Sequence, residues 1–213
     1  MRNKKNGKEE KIDADKIENI RSLLSKPFMS FHPDHLTYSS LIFAFFGSLF
    51  FYYSQYLISI FLICISFLLD AVDGYVARAK NITTSWGAFI DGIADRIVEF
   101  MFIFTLMLKF PYATNILVIF LSFGTFLHSF AKAYASHRNV LSVKEAAKIE
   151  SIMPRKIRVF AILLIAISLI FDFYWPYITW FFAFLSIIAF IQLLFIIKLK
   201  QNKENKKTQE KIN

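Results

Sequence analysis

Asp70, Asp73, Gly74, Ala77, Arg78, Gly87, Asp91 and Asp95 fall across two adjacent apolar segments in the pattern D-x2-D-G-x2-A-R-x8-G-x3-D-x3-D. A carboxylate inside a bilayer-spanning helix is costly unless it is paired or coordinates a cation. Four of them between Asp70 and Asp95, in strongly apolar surroundings, call for a metal. An all-oxygen set without Cys or His suits a hard cation, Mg²⁺ or Mn²⁺, and not zinc. Four carboxylates exceed what one Mg²⁺ takes from protein, so two ions sharing ligands are expected, an arrangement typical of phosphoryl chemistry. The competing explanation is a buried ion-pair network with Arg78 and Arg96. Two arginines cannot balance four acids, and that network leaves the small residues at Gly74, Ala77 and Gly87 unexplained.

The elements that must carry these residues are membrane helices. The chain of 213 residues is 56% hydrophobic and contains 26 Phe, which places it among polytopic membrane proteins. Apolar stretches long enough to span a bilayer run from about Leu36 to Tyr53, Leu57 to Arg78, Thr84 to Leu108, Ala113 to His137, Ile157 to Phe173 and Tyr177 to Leu199. The expected fold is an all-α integral membrane protein with six transmembrane helices. Before them, Ile12 to Met29 places Ile17, Ile20, Leu23 and Leu24 at helical spacing beside Lys16, Arg21 and Lys26, which predicts an interfacial amphipathic helix. Three regions follow: a cytoplasmic N-terminus over 1–35, a six-helix catalytic domain over 36–200, and a basic, disordered tail over 201–213. No internal repeat is evident. Cys64 is alone, so the chain forms no internal disulfide, and its setting suggests a packing residue.

Charge sets the orientation. The net charge of +9 concentrates in the first 26 residues, around Arg78 and Lys80, between Arg138 and Arg158, and after Lys198. The alternate loops, near 54–56, 109–112 and 172–176, hold one basic residue, Lys109. The positive-inside bias therefore places both termini and the Arg78 turn in the cytoplasm of a multi-pass protein of the cell membrane. Basic ends suit an anionic bilayer surface, and nucleic acid is not the expected partner because no soluble domain is left to bind it. On this topology Asp70 and Asp91 lie at similar depth, about 10–12 Å below the cytoplasmic rim at a helical rise of ~1.5 Å per residue. Asp70 and Asp73 are i,i+3 and Asp91 and Asp95 are i,i+4, so each pair shares a helix face. Two facing antiparallel helices would converge all four on one cavity, with Gly74, Gly87 and Ala88 leaving room, although helix packing through small residues explains those equally well.

The motif resembles, without a gap, that of the CDP-alcohol phosphotransferases of class I. The resemblance spans most of the chain and implies an N-terminal interfacial helix, six spans and a homodimer. It implies an enzyme of phospholipid biosynthesis that uses an acceptor hydroxyl to displace CMP from a CDP-linked lipid, CDP-diacylglycerol or CDP-archaeol, with divalent metal. Carried over residue by residue, Asp70, Asp73 and Asp91 would bind two Mg²⁺ (or Mn²⁺). Asp95 would be the general base and touch one metal. Gly74, Ala77, Arg78 and Gly87, with Asp70 and Asp73, would line the nucleotide site. His32-Pro33-Asp34-His35-Leu36-Thr37 is similar to the family's Pro-Asn-x-x-Thr stretch, which adds Pro33 and Thr37 to that site; Asp34 stands where Asn is usual. Thr84 falls where a hydroxyl near the phosphates is common.

For the acceptor, Ser129-x2-Lys132 and Arg155-x2-Arg158 resemble the branch that makes phosphatidyl- or archaetidylinositol phosphate, in which such pairs hold the acceptor's phosphate. Tyr134 and Ser136 depart from that branch, and positive-inside decoration of two helix ends is the plainer explanation of the same cations. Inositol 1-phosphate is the expected acceptor; glycerol 3-phosphate carries the same group, and serine ranks below both. A transporter is the alternative from another class, disfavoured by the missing repeat and by acids set toward one face. His32, His35, His128 and His137 are scattered and expected to pack, with His35 nearest the nucleotide mouth. Trp86, Trp175, Trp180 and the many Phe are expected to face lipid or form interfacial belts, with Trp86, beside Gly87, the one candidate for a ligand contact.

Overall fold

A computed structural model describes residues 25–212, with the side chains of Lys144 and of residues from 203 onward excepted. Among the described residues the chain is all-helical. After a 3₁₀ turn at Lys26–Phe28 come α1 (Pro33–Tyr52), α2 (Tyr56–Ala79) and α3 (Ser85–Lys109), then a 3₁₀ turn at Pro111–Ala113. Next is α4 (Thr114–Phe120), a π-helical segment (Leu121–Phe126), α5 (Leu127–His137), α6 (Val143–Ala147), α7 (Arg155–Ile170) and α8 (Trp175–Ile212). The expected amphipathic stretch is described only at its end, where it forms the Lys26–Phe28 turn; the rest lies outside the described residues.

Among the described residues, four stretches are long and apolar enough to cross a membrane: Pro33–Tyr52, Tyr56–Ala79, Pro111–His137 and Trp175–Asn202. The other two expected spans are helices as well. Of these, α3 is 25 residues long but carries the motif acids, Arg96 and Glu99, and α7 has 16 residues. Large apolar side chains such as Phe61, Phe104, Phe160, Trp180 and Phe195 remain exposed on the helices, as a protein solvated by lipid requires. The chain is a membrane protein.

Two expectations are corrected. The tail is not disordered: α8 runs unbroken from Trp175 to Ile212. Its Lys, Glu and Gln are strong helix formers and extend a helix already nucleated by the apolar segment, so the cost of starting a new one never arises. Cys64 is exposed on α2 and does not pack inside.

The chain divides into two units, residues 1–101 and 102–213. In the first, α1 and α2 form a tight hairpin through small residues. A Cβ added at Gly47 would lie 2.8 Å from Ile63 Cγ1 and 3.4 Å from the Ser59 carbonyl oxygen, and Ser66 Oγ donates to the Ser40 carbonyl across the interface at 2.8 Å. Close backbone approach through small residues is how apolar helices associate where lipid competes for every larger side chain. Leu36, Leu69, Val72 and Val76 form the core beside the motif aspartates. In the second unit, Ala135, Leu141, Ala146, Ile149, Leu193 and Ile197 form the corresponding core.

Helix ends follow from local chemistry. Asn81 takes φ 55° just past α2, with Asn81 N–H donating to the Arg78 carbonyl and Ile82 N–H to that of Ala77. This left-handed cap satisfies the last carbonyls of α2 and turns the chain sharply toward α3, and Asn tolerates the conformation better than most residues. Asn139 closes α5 in the same way. The short α6, not expected from the sequence, is started by a capping box between Ser142 and Glu145.

Candidate active site

Asp70 and Asp73 project from the last turns of α2, Asp91 and Asp95 from the second and third turns of α3. The tight Asn81 cap brings these stretches together. One carboxylate oxygen each from Asp70, Asp91 and Asp95 lie within 4.8 Å of one another. Oxygens bound to one Mg²⁺ at about 2.1 Å stand roughly 3.0–4.2 Å apart in an octahedron, so this trio needs only a small inward adjustment. The donor set fits a hard divalent cation. Asp95 is the most enclosed of the three, at 9% exposure.

Asp73 stands outside that trio. It is 4% exposed; Thr37 Oγ1 donates to its Oδ2 at 2.5 Å, and the Gly74 N–H donates to its Oδ1. The charges of Asp70 and Asp91 act on it.

Beside the aspartates lies a cavity of about 270 Å³. Pro33, Thr37, Asp73, Gly74, Ala77, Arg78, Thr84, Gly87 and Asp91 all line it, which unites nearly every residue of the expected nucleotide site; Asp70 is not on its wall. The small residues matter here. A Cβ at Gly74 would meet Arg78 Nη1 at 3.4 Å, and one at Gly87 would meet Thr84 Oγ1 at 3.2 Å. Lys80 Nζ donates to the Phe31 carbonyl at 2.8 Å and ties the turn after α2 to the segment before α1.

The cavity wall sets one guanidinium, Arg78, against the carboxylates of Asp34, Asp73 and Asp91, so an anion there would need the charge of bound cations as well. The N-termini of α1 and α3 both border it, and free N–H groups at a helix start favour negative charge. Thr84 Oγ1 caps α3 by accepting from the Gly87 N–H at 2.9 Å, and Arg78 adds a full positive charge. His32 and Asp34 also line the cavity. His32 Nδ1 accepts from the Asp34 N–H at 3.4 Å as the cap of α1. The sequence pointed to His35 as the histidine nearest the mouth; the wall residue is His32, placed there by the Pro33 helix start. Glu99 is a further buried acid that the motif did not signal, and Arg96 Nη1 pairs with it at 2.7 Å.

The second unit carries the expected acceptor residues. Ser129 Oγ donates back to the Thr125 carbonyl at 2.8 Å, at the end of the π-helical segment. Lys132 Nζ donates to the Ile149 carbonyl. Arg158 is 3% exposed, and its Nη1 donates to the Met153 carbonyl at 3.3 Å. Arg155, half-buried, opens α7. Lys132 and Arg158 therefore grip the two ends of one short segment, 149–153. The middle of that segment is held by Ser151 Oγ against His128 Nε2 at 3.3 Å and by the Ile152 N–H, which donates to Gln192 Oε1 at 2.8 Å. His128, expected only to pack, is buried and part of this polar set.

The arrangement is similar to that of known proteins. A crystal structure of the Mycobacterium tuberculosis phosphatidylinositol phosphate synthase with CDP-DAG bound superposes with a TM-score of 0.69 at 20% identity, covering 84% of this chain and 94% of that one, which shows the shared fold. A bifunctional IPC transferase and DIPP synthase of Archaeoglobus fulgidus is 26% identical over 165 residues, covering 76% of this chain and 33% of that protein. The rat CDP-diacylglycerol–inositol 3-phosphatidyltransferase is 33% identical over 98 residues, covering 46% of each. The chain spans about half or less of the length of these curated relatives. The model of CDP-alcohol phosphatidyltransferases matches residues 30–197, a stretch that holds α1 to α7, the whole aspartate motif and the cavity beside it; the chain belongs to the CDP-alcohol phosphatidyltransferase family.

Proposed function

We propose that this protein is a membrane transferase that moves a phosphatidyl-type group from a CDP-linked lipid to the hydroxyl of a polar acceptor and releases CMP. The observation that carries this reading is the convergence of the Asp70, Asp91 and Asp95 carboxylates beside a cavity walled by the remaining motif residues. Asp70, Asp73, Asp91 and Asp95 are the groups that would hold divalent cations, Mg²⁺ or Mn²⁺. When bound, such ions neutralise the diphosphate and the charge that develops on the departing phosphate.

The chain's own residues supply the rest. Pro33, Gly74, Ala77, Thr84 and Gly87 shape the nucleotide cavity, and Arg78 with the two helix N-termini favours the diphosphate there. Asp95 takes the proton of the acceptor hydroxyl as its oxygen bonds to the lipid-bearing phosphorus. The bond from that phosphorus to the oxygen of CMP breaks, and CMP leaves with that oxygen. Positioning and a nearby base are what such a transfer asks of a protein.

The acceptor best supported is inositol 1-phosphate, through Ser129, Lys132, Arg155 and Arg158. Arg matches a phosphate with its forked donors and Lys adds a point charge, and the name of the similar Mycobacterium tuberculosis protein points the same way, whereas that of the rat protein names inositol without a phosphate. Six spans, an interfacial helix before the first, both termini and the aspartate cavity on the cytoplasmic side, and assembly as a homodimer complete the proposal. The reaction is tested by CMP release from CDP-diacylglycerol or CDP-archaeol with Mg²⁺ and inositol 1-phosphate. Release that needs both substrates supports it, and Mg²⁺ binding without release from any CDP-lipid would overturn it.

A further inference from the structure

Thr37 lies 36 positions from Asp73 in sequence, on a different helix, and both side chains are buried. Its hydroxyl has one proton. Two acceptors are in reach, Asp73 Oδ2 at 2.5 Å and the Pro33 carbonyl at 3.3 Å. The shorter contact, to a carboxylate, takes the proton. Phosphate oxygens are acceptors only, so while this bond stands the hydroxyl cannot donate to a diphosphate in the cavity. Meanwhile the Gly74 N–H holds the other oxygen of the same carboxylate. Both oxygens are thus pinned, the plane of the carboxylate is fixed, and each oxygen keeps a lone pair for another partner.

We propose that Thr37 is a positioning residue. Its hydroxyl holds the Asp73 carboxylate in the orientation that binds a divalent cation, so Thr37 sets cation affinity and does not contact the nucleotide through its hydroxyl. The proposal rests on Asp73 being a metal ligand, as in the reading above. Partners that orient a ligating carboxylate commonly change metal affinity or activity by about 10–100-fold when removed.

The test measures Mn²⁺ binding to the full-length protein in detergent by electron paramagnetic resonance of the free ion, without lipid or turnover. Thr37→Val keeps the shape and removes the proton; Thr37→Ser keeps the proton. The expected result is Mn²⁺ affinity weakened about tenfold or more in Thr37→Val and restored to within about threefold in Thr37→Ser, with CDP affinity at saturating Mn²⁺ changed less than about threefold in both. Thr37→Ala replaces the valine variant if that one does not fold, under the same criteria. Parent-like Mn²⁺ affinity without the hydroxyl, or CDP binding lost at saturating Mn²⁺, overturns the proposal. Asp73→Asn is the control: unchanged Mn²⁺ binding there overturns the ligand assignment and the positioning role with it. CMP release by the parent protein separately reports whether the transferase reading stands.

Discussion

The Lys132 ammonium donates to the Ile149 carbonyl, 17 residues further along the chain. With Arg158 donating to Met153, two of the three cations expected to hold an acceptor phosphate are bonded to the backbone of one segment. An ammonium has three protons, so Lys132 can keep this bond and still bind an anion. Lys132→Ala is expected to raise KM for a phosphate-bearing acceptor by about 10–100-fold, the size of a lost charge-assisted hydrogen bond of about 1.5–3 kcal/mol. KM for the CDP-lipid should stay unchanged. Steady-state kinetics with each substrate varied in turn decides it, and equal rises in both KM values would point to a structural role for the lysine.

Asp95→Asn keeps a side chain of the same size and removes the base. Loss of a general base costs about 10²–10⁴-fold in rate, so CMP release should fall by that much. CDP binding measured by calorimetry should persist. Full activity in this variant would remove Asp95 from the chemistry.

Gly87 faces the cavity with Thr84 Oγ1 only 3.2 Å from where a Cβ would stand. Gly87→Val fills part of the cavity and crowds the cap of α3. CDP affinity should fall about tenfold or more, corresponding to at least about 1.4 kcal/mol, with little change in melting temperature because the position lies on a wall and not in the core. Calorimetry and thermal unfolding in detergent separate the two effects.

Gly47 packs against Ile63 at a distance no larger side chain can share. Gly47→Leu should destabilise the α1–α2 hairpin by about 1–3 kcal/mol, the usual cost of overpacking. The expected readout is a lower melting temperature in detergent. An unchanged melting temperature would show that the helices separate at that point without loss.

Much of this was legible in the sequence because it is periodic or motif-bound. The spacing of Asp70, Asp73, Asp91 and Asp95 puts each pair on one helix face wherever the helices lie, and a single short turn after Arg78 suffices to bring them together. Charge and hydropathy likewise located the helices within a few residues, the C-terminal end of α8 excepted. What escaped depends on contacts between distant positions. Nothing local marks Thr37 as the partner of Asp73, or Ile149 and Met153 as acceptors for Lys132 and Arg158, because backbone carbonyls have no sequence signature. His32 reached the cavity wall through the angle at which α1 begins. The polar end of α8 misled for another reason: its composition resembles a disordered tail, but helix propensity and a preformed helix behind it prevail.

The central claim is that the aspartate cavity catalyses transfer from a CDP-lipid. Its most direct measurement is CMP release by the purified protein in detergent with CDP-diacylglycerol or CDP-archaeol and Mg²⁺, comparing inositol 1-phosphate, glycerol 3-phosphate and serine, with Asp95→Asn alongside. Release that depends on inositol 1-phosphate and disappears in Asp95→Asn is the predicted result. Release with glycerol 3-phosphate or serine alone would keep the cavity's chemistry and overturn the inositol assignment. No release from either lipid with any acceptor, by a protein that still binds Mg²⁺ and CDP, would contradict the account.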